Sequence, residues 1–179
     1  MGKSVSTVGE SEKLADQRRS NANAVEFRLS ENPYGGQAML VDANTQNPVT
    51  HLPRRSQVEL EEVLARLQPA TVSAMERQIE EWADTTGEER TDFFASNWLT
   101  GNDWKAAANG VFEPLYEACL GRHENPVEYA GWMFGWLVRR VMIRLGQREN
   151  WCLYKNPEAG TDALPRNMWG TFYWRTTRS

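Results

Sequence analysis

Apolar and polar positions alternate in VEFRLSE, where Val25, Phe27 and Leu29 are separated by Glu26, Arg28 and Ser30. That two-residue period predicts a half-buried strand. NPYGG then supplies turn chemistry before a second apolar run, QAMLVD, so an N-terminal hairpin is expected. DANTQNP reads as a loop and PVTHL as a short third strand. Residues 1–24 are polar, with few large apolar groups, and read as a flexible arm ahead of a single domain over residues 25–179.

From residue 56 the period becomes helical. Ser56 with Glu59 makes a capping box ahead of Leu60, Val63, Leu64 and Leu67, which share one helix face, and Pro69 closes that helix. A second helix over 71–84 buries Val72, Met75, Ile79 and Trp82. Thr86 with Glu89 repeats the cap signature for a third helix containing Phe93, Phe94 and Trp98. Asn102 is placed to cap a fourth, which carries Trp104, Ala108, Val111, Leu115 and Cys119 at helical spacing. Pro114 would clash with the carbonyl of Gly110, so a kink or break is expected there.

The strongest helix start lies in NPVE: Asn125 as N-cap, Pro126 at the first helical position and Glu128 at the third. This helix should run to about Leu145, before Gly146 ends it. Its uninterrupted apolar core, Tyr129 to Val138, is about half the ~20 residues that a membrane span needs, so no span is expected. A segment apolar nearly all round belongs at the centre of a domain, with Gly131 and Gly135 letting a neighbour approach its backbone. The C-terminal strands WCLYK and MWGTFYWRT make a second hairpin. In it, Met168, Phe172 and Trp174 face one way and Trp169, Thr171, Tyr173 and Arg175 the other. The expected fold is α+β: a bundle of about five helices with N-terminal and C-terminal antiparallel hairpins able to join in one small sheet.

Charge changes this picture because it is unevenly spread. Residues 56–125 carry five Lys/Arg and fourteen Asp/Glu (−9), whereas residues 126–179 carry eight and four (+4); with +1 from residues 1–55 these sum to the net −4. Segment asymmetry of that kind points to a charged partner or to a solvated helical face. Glu76, Glu80 and Asp84 fall at i, i+4 and i+8 and stack along one stripe, with Glu81, Glu88, Glu89 and Asp92 nearby. Like charges at that spacing each cost ~0.2–0.5 kcal/mol in an isolated helix. A stripe kept at such a cost fits a cation, a basic protein surface or imitation of a nucleic-acid backbone.

The opposite sign gathers near the C-terminus. Arg139, Arg140, Arg144, Arg148, Lys155, Arg166, Arg175 and Arg178 could neutralise phosphates, while Trp169 and Tyr173 could stack bases. The same Trp, Tyr and Arg mixture also makes protein-interface hot spots, and it packs sheets against helices. An acidic pI near 5.3 weighs against a dedicated nucleic-acid binder.

Catalytic and metal signatures are sparse. His51 and His123 lie in turns outside any HxxxH, HExxH or HxE frame, and the GKS triplet at residues 2–4 lacks the glycine-spaced loop of a phosphate cradle. Cys119 and Cys152 form no CxxC pair, so a reducing, cytoplasmic setting without metal or cofactor is expected. The N-terminus has no apolar leader core; MGKSVS fits the short N-myristoylation pattern. None of these motifs identifies a family.

The leading expectation is a non-enzymatic protein that occupies a basic surface of a protein partner. Its acidic face would comprise Glu76, Glu80, Glu81, Asp84, Glu88 and Asp92, as in an inhibitor of a nucleic-acid-handling system encoded by a phage or plasmid. The alternative is a nucleic-acid-binding accessory protein using Arg139, Arg140, Arg144, Arg148, Trp169, Tyr173 and Arg175. A homo-oligomer in which acidic and basic surfaces meet would satisfy both charges without another partner.

Overall fold

The computed structural model describes residues 38–86, 94–95, 103–155 and 171–175. Its elements are β1 (Leu40–Asp42), α1 (Arg54–Leu64), α2 (Pro69–Thr86), β2 (Phe94–Ala95), a 3₁₀ turn (Ala107–Gly110), α3 (Glu113–Cys119), α4 (Pro126–Gly146), β3 (Trp151–Lys155) and β4 (Thr171–Arg175). The fold is mixed α+β, with four α-helices among the described residues. The sheet runs β1-β3-β4-β2, β1 parallel to β3 and the other pairs antiparallel.

α4 is the hub. Its start is fixed as its residues dictate: the Asn125 side chain accepts the Glu128 backbone N–H at 3.2 Å and donates back to the Glu128 carboxylate at 3.3 Å. Tyr129, Ala130, Met133, Phe134, Leu137, Val138, Val141, Met142 and Leu145 are buried, and the helix touches α1, α2, α3, β1 and β3. Each large apolar side chain so buried contributes about 1.5–3 kcal/mol relative to exposure. Phe112 and Phe134 meet edge to face within this core, and Trp82 stacks on Phe112.

Several expectations need correction. Pro69 opens α2 instead of closing α1, because the first turn of a helix has no use for the missing N–H. Pro114 sits in the first turn of α3 for the same reason, and the break falls just upstream. There Ala108 and Asn109 have φ of 50° and 57°, followed by Gly110 at 80°. Where a third helix was expected, Phe94–Ala95 is a strand paired with Tyr173 and Phe172; the flanking residues lie outside the described ones.

β1 does find a neighbour in PVTHL, through the Val49 N–H to Leu40 carbonyl bond at 2.8 Å. Its long ladder is instead the parallel one to β3, since parallel strands can be joined by the intervening helices. β3 and β4 run antiparallel. The arm over residues 1–24 and the strand over residues 25–31 lie outside the described residues.

Of the expected pair Gly131 and Gly135, Gly131 admits no close neighbour, and a close approach is found instead at Gly146. A Cβ on Gly146 would lie 2.6 Å from the backbone nitrogen of Leu40, whereas one on Gly131 would meet nothing within 4 Å.

Candidate functional site

The acidic stripe and much of the basic set meet inside the chain. α2 and α4 lie side by side, so the i, i+4 spacing of Glu76 and Glu80 faces the i, i+4 spacing of Arg140 and Arg144. Arg140 pairs with Glu76, and Arg144 reaches Glu76 at 2.9 Å and Glu80 at 2.8 Å. One turn on, Asp84 is paired by Arg175 of β4 at 3.1 Å. Arg175 also lies 2.7 Å from a Glu149 carboxylate oxygen, as an ion pair without hydrogen-bond geometry, and its guanidinium sits over the Trp151 ring at 5.1 Å.

Glu76 is the centre of this network, with a side chain only 17% exposed. Burial pushes its carboxyl up, but the hydrogen bonds and positive charges of Arg144 and Arg140 outweigh burial and hold it below the ordinary carboxylate range. Part of the charge asymmetry of the sequence, three of the fourteen acids of residues 56–125, is therefore complementarity between two of its own helices and a strand.

The remaining predicted residues fall elsewhere. Glu81 is exposed and accepts a hydrogen bond from Gln78. Glu88, Asp92 and Trp169 lie outside the described residues. Arg139 lies over the Trp136 ring at 5.9 Å, and Arg148 is exposed without an ion pair among the described residues. Tyr173 is 1% exposed, so its ring belongs to the core and offers no platform for a base. Burial pushes its hydroxyl far up despite the Arg139 guanidinium.

Nucleophilic chemistry finds little support in the two thiols. Cys119 and Cys152 are buried, which pushes them up to about 11 and about 12 against the ordinary 9.0, and holds both as neutral thiols. Among the described residues no group of three or more His, Cys, Asp or Glu is placed to hold a metal ion, and no helix is long and apolar enough to cross a membrane.

A different surface was missed. At the corner between α3 and α4, His123 stacks on Tyr129 with ring centroids 5.8 Å apart and meets the Trp132 ring at 5.4 Å. Trp132 is 48% exposed, and Leu120, three residues before His123, is 47% exposed. The signal was present: Glu128, Gly131 and Trp132 fall at i, i+3 and i+4 on one side of α4, and a charge and a glycine there mark a face that is not apolar. Counting the segment as apolar all round hid that face.

Compared with known proteins, the chain matches no family model, no curated protein and no solved structure.

Proposed function

We propose that the protein is a non-enzymatic binding protein that acts by occupying a basic surface of a protein partner, as an inhibitor encoded by a phage or plasmid would. The observation that supports this reading best is an imbalance in how the charges are used. Arg140, Arg144 and Arg175 are each matched by an acid of the same chain, and among the described residues the exposed side chains without an ion pair are the acids Glu61, Glu81, Asp103, Glu117, Glu124 and Glu128 against the cations Arg54, Arg66, Arg77 and Arg148. Complementary potential of this kind steers encounter and fixes register more than it adds affinity. The contact residues shift accordingly: Glu76, Glu80 and Asp84 are matched within the fold, and the outward carboxylates Glu81, Glu124 and Glu128 serve the partner.

The test is cross-linking in the cells that make the protein, quantified by mass spectrometry for the parent and for a Glu81→Lys/Glu124→Lys/Glu128→Lys variant shown to be folded by circular dichroism. A protein enriched by the parent and lost with the variant supports the reading. Equal recovery would sink it. Anisotropy of labelled oligonucleotides run alongside addresses the nucleic-acid alternative, which requires tight binding that collapses as salt rises.

A further inference from the structure

The α3–α4 corner offers more specific chemistry than general acidity, and we infer that it docks an arginine side chain of the partner, with the guanidinium stacked on Trp132 and paired by Glu128 and Glu124. This inference rests on the basic-partner reading above and names its contact point.

Three observations carry it. Glu128 lies one turn before Trp132 on the same side of α4, and Glu124 follows His123, whose ring touches the Trp132 ring. Both carboxylates and the indole are exposed, and Gly131 between them leaves the helix backbone open, with nothing within 4 Å of where a Cβ would stand. A planar cation can therefore lie flat against this face.

Charge at the corner favours a cation as well. Arg122 of the corner pairs with Glu62 of α1, and Glu59 stands one turn before Glu62 on that helix, which brings both carboxylates to the same side of the molecule. Glu59, Glu62, Glu124 and Glu128 stand there against Arg55, Arg66 and Arg122, four acids to three bases; Arg55 is paired with Glu59, Arg122 with Glu62, and Arg66 donates to the Ala118 carbonyl of α3. Glu124 makes no ion pair among the described residues, and the Glu128 carboxylate, which accepts from the Asn125 side chain, keeps further acceptor capacity for a partner.

The third observation is a precedent within the chain. Arg175 is held by one Trp and two carboxylates, Trp151, Glu149 and Asp84. The corner presents the same three kinds of group outward. Arginine fits better than lysine because a planar guanidinium stacks on an indole face while its edge donates to carboxylates.

The experiment is a titration of the ¹⁵N-labelled full chain with an unstructured hexa-arginine peptide and, separately, hexa-lysine, following backbone amides and tryptophan indole N–H resonances. Saturable shifts centred on Glu128–Trp132, stronger with arginine, and reduced at least about fivefold in apparent affinity by Trp132→Ala and by Glu128→Gln, are expected. Shifts centred on Glu81 and Asp84 instead would overturn the corner while leaving the basic-partner reading standing. No saturable shift anywhere would overturn both. Equal response to lysine would overturn the arginine assignment.

Discussion

Gly146, the last residue of α4, is packed against the backbone of Leu40, the first residue of β1. Leu40 is in turn paired in register with Trp151, so it has little freedom to retreat. Gly146→Ala is therefore expected to destabilise the fold: the clash costs roughly 1–3 kcal/mol, more than the ~1 kcal/mol that alanine gains over glycine in a helix. Gly131→Ala meets nothing and should stabilise by up to about 1 kcal/mol. Urea unfolding of the two variants checks both signs.

Removing the charge of Glu76 leaves Arg140 without its acid and Arg144 with Glu80 alone. Glu76→Gln should cost about 1–3 kcal/mol, as expected for partly buried hydrogen bonds between charged groups. Glu80→Gln, at a more exposed site, should cost no more than about 1 kcal/mol. A denaturant series in low and high salt would show the second effect shrinking more than the first.

The acid dependence of stability follows from the same carboxyl. Its folded value lies below the unfolded 4.5, so its stabilising contribution is fully present above 4.5 and is lost as pH falls through the folded value. Thermal unfolding between pH 7 and pH 2.5 should show a steeper decline below pH 4.5 in the parent than in Glu76→Gln. Parallel profiles would contradict the network described.

Both cysteines should resist modification in the native state, being buried and held as neutral thiols. Iodoacetamide at pH 8 is expected to leave the native chain unlabelled and to add two carbamidomethyl groups in urea, counted by intact mass.

Tyr173 separates a core role from a surface one. Tyr173→Ala should cost about 3–5 kcal/mol, as for other large aromatic truncations in cores, whereas a base-stacking residue would be lost with little change in stability. Calorimetry of the variant decides between them.

Local signals were legible in the sequence and distant ones were not. The Asn125 cap, the buried Leu60, Val63 and Leu64 of α1, and Met75 and Ile79 of α2 all follow from neighbours within a turn or two. The cap of α1 falls three residues earlier than expected, since the helix begins at Arg54 after Pro53 and not after Ser56. The pairing of Leu40 with Trp151, the strand at Phe94 and the burial of Tyr173 depend on segments far apart in the chain, which no local period encodes. The candidate site divides the same way. The stripe of Glu76, Glu80 and Asp84 is visible as helical spacing, but its occupation by Arg140, Arg144 and Arg175 requires knowing which helix lies beside which.

The parallel pairing of β1 with β3 also sets an order of events in folding. α3 and α4 follow one another in the chain, and α1 and α2 lie nearer to α4 along it than β1 lies to β3, so Leu40 and Trp151 are the most widely separated of these partners. The helices should therefore gather first and the sheet close last, with β1 waiting unpaired. In refolding followed by stopped flow, helical ellipticity is expected to recover ahead of amide protection at Val41 and Cys152.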